Sequence, residues 1–402
     1  MATNLTFLIV VLLVIAALLN EPALLMPIVL LAGALIFGKL WGNRALRSIR
    51  VRRTMNDRSF TNDKVHVTVD VENTGPLPAV WLRLHDSLPA ELAPHQFDHA
   101  ISLKSREHRR FDYIIHTTRR GYYHIGPLTV QSGDVLGLSA MAAMQNTSTA
   151  PLLVYPRVVP FERLSIPSTI PLGEVRQRQP LFEDPNLVRG KRDYSRGDSL
   201  RRVDWKATAV TGRLQVKMFE SSVSLASMIL LDLNLKAYDR MAQLDSVELA
   251  IVVAASIANY MIALRQPVGL ATNGTMSEVS DVRPQSHVTR PRKGQTHLMH
   301  MLEVLAQLKA IEAEPIEALI KREHSHLAWG TTLIIITGKA DDALFDGLIR
   351  ARRAGLNPIL ILCGRGVNVV PIRRRAAAFN IPVRYVRTED DVRLLTFDDR
   401  YD

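Results

Sequence analysis

The sequence predicts a multidomain chain: two N-terminal transmembrane helices, an immunoglobulin-like β-sandwich, and a C-terminal α/β domain of the doubly wound kind. Three observations carry this. The first 40 residues hold two uncharged apolar runs, residues 48–160 alternate apolar and polar side chains between turn residues, and beyond residue 225 apolar strand-like runs alternate with long amphipathic ones. At 402 residues the chain has room for two or three cores. Lys and Arg total 50 against 39 Asp and Glu, a formal charge of +11, which suits an anionic partner surface, nucleic acid or membrane leaflet. The single cysteine, Cys363, lies in "NPILILCG"; it excludes an internal disulfide and reads as a small core residue.

Leu5–Leu19 and Ala23–Gly38 are the apolar runs, divided by Asn20, Glu21 and Pro22. Each is somewhat shorter than the roughly 20 residues a spanning helix needs, and Thr3, Asn4, Asn20 and Trp41 extend them, giving a hairpin over residues 1–42. A cleaved signal peptide is the alternative, but the positive n-region and small-residue cleavage site are missing. Lys39, Arg44, Arg47, Arg50, Arg52 and Arg53 follow the second run with no acid among them, so positive-inside places the rest of the chain in the cytoplasm, at the inner membrane, with the cations against anionic lipid.

Residues 48–160 read as the β-domain. In Lys64–Gly75, Val65, Val67, Val69 and Val71 share one face and His66, Thr68 and Asp70 the other, before a turn at Asn73–Gly75. "AVWLRLHDSL", "RRFDYIIHTT", "GYYHIGPLTVQSG" and "PLLVYPRV" repeat the rhythm, as short strands of a sandwich do. The histidines here (His66, His85, His95, His99, His108, His116 and His124) show no metal-ligand spacing.

Residues 225–402 read as α/β. Ala226–Asn234 is a buried-strand candidate and Asp245–Arg265 a helix; strands at "VGLAT", "TTLIIITG", "NPILILCG" and "PVRYVRT" alternate with helices around "HLMHMLEVLAQLKA", Ile316–Leu327 and "DALFDGLIRARRAG". This order predicts a mainly parallel sheet with helices on both faces, whose ligands sit at the carboxyl ends of the strands. That directs attention to Asp232 and Asn234, and to Thr337, Gly338 and Lys339.

Between these domains, residues 161–224 form a connecting segment with "VRGKRDYSRGDSLRRVDWKATA" (Val188–Ala209), which packs seven cations and three acids around Tyr194 and Trp205. Together with "RRGYYHIGPLTVQSGDVLGL" (Arg119–Leu138) and "LLVYPRV" (Leu152–Val158) it resembles the bacterial domain-of-unknown-function 58 family, most specifically through Tyr194, Gly197, Asp198, Arg202, Asp204 and Trp205. The resemblance implies a membrane hairpin, a β-domain and a von Willebrand factor A-like domain, working with a MoxR-type AAA+ ATPase and a transglutaminase-like membrane protein. Von Willebrand A domains often hold Mg²⁺ through D-x-S-x-S, whose oxygens suit a hard cation. Here the loop is "DLNLK": Asp232 remains, Asn234 and Lys236 replace the serines, and an ammonium has no lone pair to offer a metal. The adhesion-type site at Asp232 and Asn234 is therefore degenerate and no metal is expected; Asp232 is left to hydrogen-bond its own loop.

The charged motif lacks the G-x-x-x-x-G-K-[ST] pattern of a phosphate loop, and "GRG" at Gly364–Gly366 lacks the third glycine of a dinucleotide fingerprint. Asp198 or Ser199 offers a helix N-cap. Asp193, Asp198 and Asp204 would repel nucleic-acid phosphates but pair with Arg192, Arg196, Arg201 or Arg202. No Ser-His, Cys-His or metal cluster accompanies them, so no catalytic residue is assigned. The motif reads as a clasp, within the chain or toward a partner, made by Arg192, Tyr194, Gly197, Asp198, Arg202, Asp204 and Trp205, with Tyr194 and Trp205 burying apolar area. The function expected is a protein-interaction or assembly factor; the alternative is an envelope-associated enzyme with a site between the soluble domains.

Overall fold

The computed structural model describes residues 11, 22–92, 96–132, 142–146, 149–161, 188–195, 198–199, 203–219, 226–276 and 287–395. The chain divides into two compact units, Met1–Arg157 with Leu302–Leu308, and Val158–Met301 with Lys309–Asp402. The apolar run Leu5–Leu19 lies outside the described residues except for Val11.

In the first unit the second apolar run falls within one helix, α1 (Pro22–Arg47). Met26, Val29, Leu30, Ile36, Phe37 and Leu40 are all exposed on it, an apolar surface too broad for the single stripe of a helix packed on a soluble core. Among the described residues two stretches are long and apolar enough to cross a membrane, Ile28–Arg47 and Arg240–Ala263; the second is mostly buried and serves as a core helix of the other unit. The last turn of α1 enters the β-domain. Ala45 and Leu46 are buried with Ile49 in the same cluster as Val69, Leu82, Leu84 and Val130, and Trp41 Nε1 donates to the Pro78 carbonyl at 3.2 Å.

The strands that follow are β1 (Ile49–Met55), β2 (Arg58–Phe60), β3 (Lys64–Asn73), β4 (Ala79–Asp86), β5 (Phe97–Leu103), β6 (His108–His116), β7 (Gly121–Ile125), β8 (Leu128–Ser132), β9 (Ala142–Asn146) and β10 (Ala150–Tyr155). They form sheets β1-β3-β6, β5-β4-β8-β9 and β2-β10-β7. Val65, Val67, Val69 and Val71 of β3 all point inward, as the period-two pattern requires. A buried polar cluster links the first two sheets. Arg53 of β1 donates to both carboxylate oxygens of Asp86 on β4, at 2.8 and 3.1 Å, and to the Ile125 carbonyl at 2.9 Å. Tyr113 of β6 donates to the same carboxylate at 2.7 Å. Burial, then the Asp86 hydrogen bond, pushes the Tyr113 phenol far above its ordinary range, so it is a fixed donor.

The second unit holds β11 (Val188–Asp193), α2 (Trp205–Thr211), β12 (Gln215–Phe219), β13 (Ser227–Leu231), α3 (Gln243–Ala263), β14 (Val268–Thr272), β15 (His287–Arg292), the start of α4 (Gln295–Gln307, which belongs to the first unit from Leu302 on), α5 (Ile316–Glu323), β16 (Thr332–Thr337), α6 (Asp342–Arg353), β17 (Asn357–Cys363), α7 (Val369–Ala378), β18 (Val383–Val386) and α8 (Glu389–Arg393). Six strands form one sheet in the order β15-β14-β13-β16-β17-β18. The inner pairs are parallel and only the edge strand β15 is antiparallel. Pro291 suits that edge, because it has no N–H for a ladder. Met228, Leu230, Leu333 and Ile335 pack against α5, α6 and α7; the alternate residues of β13 and β16 face the other way, where α3 lies against β13, β14, β16 and β17. The helix expected over Ile316–Leu327 ends as α-helix at Glu323 and continues as a 3₁₀ turn, His324–His326. Cys363 is buried and its thiol pKa is raised by that burial.

Because Arg53 is the cation facing a fully buried carboxylate, Arg53→Leu should destabilise the β-domain by about 3–5 kcal/mol. Hydrogen exchange would show it as lost amide protection in β4 and β6, with β13 and β16 unchanged.

Candidate functional site

The charged segment folds on itself. β11 and β12 pair antiparallel, Lys191 opposite Lys217 and Arg192 opposite Val216, and α2 sits in the connection between them. Arg192 grips Asp198 with two parallel bonds of 2.7 Å, and the Asp198 carboxylate also accepts from the Ser195 N–H at 2.9 Å. Asp198 thus closes a turn; residues 200–202, which the N-cap expected of Asp198 or Ser199 would start, lie outside the described residues. The N-cap of α2 is Asp204, which accepts from the Ala207 N–H at 3.1 Å and pairs with Lys191 at 2.8 Å. Lys191, then the Ala207 N–H, hold the Asp204 carboxyl below the usual carboxylate range. The Asp193 carboxylate accepts from the Gln215 side-chain amide, and the Asp193 backbone carbonyl accepts from Arg192 Nη1 at 3.1 Å. Gly212 ends α2 in the left-handed region at φ 68°, its N–H returning to Thr208 O, a conformation that costs glycine little.

Gly197 and Arg202 lie outside the described residues, as do Arg196 and Arg201. Tyr194 is half-buried. The expectation that Trp205 buries its ring is corrected: it is 66% exposed. The reason is positional, because α2 has no buried residue and Trp205 is its first. Val210 and Leu214 are exposed beside it in sequence.

The second cluster is at the carboxyl edge of the six-stranded sheet. Asp232, just past β13, is only 2% exposed. Its Oδ1 accepts from the Asn234 N–H at 3.1 Å and from Asn273 Nδ2 at 2.8 Å, and its Oδ2 from Thr337 Oγ1 at 2.7 Å. Burial raises its pKa, against the lowering effect of these donors. Tyr238 donates to the Asp232 carbonyl at 2.6 Å, and Asn234 Oδ1 accepts from the Lys236 N–H at 3.1 Å. Lys236 turns outward to Glu312 at 2.7 Å; Lys339 faces Asp341 at 3.4 Å. Asp341 caps α6 and Asp342 is its first residue. The structure therefore brings Asp232, Asn234, Thr337 and Gly338 together and directs both lysines to the surface. Among the described residues no group of three or more His, Cys, Asp or Glu could hold a metal ion.

Residues 190–328 match the family model described as "Protein of unknown function DUF58". That span covers the charged segment and the first half of the α/β unit. The chain is 27% identical over 307 residues to the uncharacterized protein YeaD of Bacillus subtilis, covering 74% of this chain and 70% of that one. Among solved structures, the CARDB domain of PF1109 from Pyrococcus furiosus aligns at 15% identity over 26% of this chain and 91% of its own, with a TM-score of 0.21. Proximal thread matrix protein 1 of the mussel byssus aligns at 10% identity over 43% of this chain and 46% of its own, with a TM-score of 0.32. Neither score assigns a shared fold.

Asn273 and Tyr238 are the edge residues that sequence reasoning missed. Asn273 ends "VGLATN" at the next strand's carboxyl edge, so the same rule that singled out Asp232 points to it. Tyr238 carries no comparable signal, since its role depends on the turn folding back over its own strand.

Asp232→Ala should destabilise the α/β unit by on the order of 3 kcal/mol, since each orphaned buried donor costs about 1–3 kcal/mol; urea unfolding followed by tryptophan and amide signals measures it. Asp204 gives a pH-dependent counterpart. Its folded pKa is depressed, so its stabilisation is present above the ordinary carboxylate pKa of about 4 and is lost as pH falls through the folded value. The protection factors of the α2 amides, their exchange rates taken relative to the intrinsic rate at each pH, should fall on acidification in the parent and be flat over the same range in Asp204→Ala.

Proposed function

We propose that the chain is a membrane-anchored, cytoplasm-facing interaction or assembly factor of the inner membrane, built from an immunoglobulin-like β-domain and a von Willebrand factor A-like domain. Its partners in this reading are a MoxR-type AAA+ ATPase and a transglutaminase-like membrane protein. The observation that carries it is the exposed Trp205, held on a short helix whose start and end are both fixed by hydrogen bonds. Exposed tryptophan on a pre-ordered backbone is what protein interfaces use as an anchor, because little conformational entropy is lost on docking. Lys191, Arg192, Asp198 and Asp204 spend their charge on ordering this element, which supports a presenting role over a chemical one. The broad apolar surface of α1, followed by Arg44 and Arg47 in its last turn, supports the anchor and its orientation.

Crosslinked affinity capture of the full chain from native membranes, under nucleotide-trapping conditions, tests the reading. An AAA+ ATPase should be recovered, and Trp205→Ala should lower its recovery at least fivefold while leaving the melting temperature within error of the parent. Capture of no ATPase, or equal capture by Trp205→Ala, would sink it.

A further inference from the structure

We infer that the α/β unit carries a binding site for a phosphate group at the carboxyl edge of its sheet. The strand order reverses between β13 and β16: the chain leaves β13 toward β14 on one side and returns to β16 on the other. Loops diverge at such a point and leave a crevice outside the strand ends, where ligands of doubly wound sheets bind. Here that crevice is a cavity of about 320 Å³ lined by the loops after β13, β16 and β17, a volume within the range of small-ligand sites.

One cation comes from each loop: Lys236, Lys339 and Arg365. All three reach solvent: Lys236 is 70% and Lys339 63% exposed, each in a surface ion pair, and Arg365 is exposed as well. Arg365 sits between Gly364 and Gly366, with φ of 112° and 83°; a Cβ on Gly366 would stand 3.0 Å from Asp239 Oδ2, so the turn is shaped tightly against the cavity wall. The turn leads into α7, whose N-cap Asn368 makes no side-chain cap bond, leaving first-turn N–H groups for an anion. Three acids lie nearby, and one of them, Asp239, lines the cavity itself. Asp239 accepts from the Met241 N–H at 3.2 Å, and Glu312 and Asp341 pair with the two lysines. Exposed pairs of that kind contribute little and exchange readily.

Phosphate fits this arrangement better than carboxylate. Its oxygens are tetrahedral and can meet two ammonium groups, a guanidinium and backbone N–H groups from different directions, whereas a carboxylate is planar and satisfied by a single arginine fork. The "GRG" turn, which lacks the spacing of a dinucleotide loop, thus gains a role through what the neighbouring loops place beside it. This site stands apart from the partner reading, and ATPase capture is indifferent to its failure.

The test uses the full chain in dodecyl maltoside, which has no phosphate of its own, and follows the ³¹P linewidth of inorganic phosphate, AMP and a phosphoserine peptide on titration. Saturable binding is expected, with affinity at least tenfold lower in Lys236→Gln/Arg365→Gln and unchanged in Arg373→Gln/Arg374→Gln, which removes the same charge from exposed positions of α7. Lys339→Gln, a single exposed change, should weaken binding in the same direction. Tighter binding of AMP would identify a free small phosphate as the ligand, and tighter binding of the peptide a phosphorylated partner. No saturation, equal loss in the control pair, or neither ligand exceeding inorganic phosphate (an adventitious ion only) would overturn the proposal.

Discussion

The carboxylate of Asp232 is the constraint on which the carboxyl edge of the six-stranded sheet depends. A buried carboxylate is costly unless donors replace its lost water, and here three do, from its own loop, from the end of β14 and from the end of β16. One side chain therefore ties three adjacent strands together where they emerge from the sheet. The tie also folds the following turn back, bringing the Tyr238 hydroxyl onto the Asp232 carbonyl. Tyr238 then packs so close to the β16 loop that a Cβ on Gly338 would stand 2.4 Å from its ring, so a side chain there would force the two loops apart. The outward direction of Lys236 and Lys339 follows from this inner arrangement: the interior positions are already filled by Asp232, Thr337 and the tyrosine.

The charged segment obeys the opposite logic, with its ions at the surface and its order supplied by backbone geometry. Exposed ion pairs stabilise little, so the value of Arg192 to Asp198 and Lys191 to Asp204 lies in fixing which backbone N–H groups the aspartates reach. Asp198 holds the turn at Ser195 and Asp204 starts α2. A run rich in Arg and Asp that looks like a binding surface in sequence is, in this fold, partly the internal wiring of a small hairpin. Its aromatic Trp205 is the side chain this wiring leaves exposed.

What the sequence made legible follows from where periodicity dominates. The valines of β3 and the apolar runs of β13, β16 and β17 are set by burial, and a pattern of burial is visible in one dimension. The edge strand β15 was not anticipated, because an edge needs fewer apolar residues and tolerates Pro291. Helix α7 was missed because its first turn is Val369, Val370 and Pro371 and its remainder is basic, so no apolar stripe marks it. At the site, Asp232, Asn234, Thr337, Gly338 and Lys339 could be named from the rule for strand ends. The partnership of Asp232 with Asn273 could not, since it depends on strand order. For Trp205 the side-chain type pointed to burial; the three-dimensional context, a helix with no buried face, decides otherwise.

The β-domain and α1 share a further constraint. A membrane helix followed by a flexible linker leaves its soluble domain free to roam, but here Ala45 and Leu46 are core residues of the β-domain and Ile49 continues the same cluster on β1. The Ser48 N–H returns to the Ala45 carbonyl at 3.0 Å, and the Thr74 N–H meets the Ser48 carbonyl at 2.9 Å, so no flexible residue separates helix from strand. Arg53, five residues further, is already part of the buried cluster with Asp86 and Tyr113. Pulling α1 away would therefore expose apolar core and strain the polar cluster together, and the orientation of α1 is transmitted to the β-domain as a rigid body. In the anchored reading, the basic end of α1 sets the height and tilt of that domain over the lipid surface.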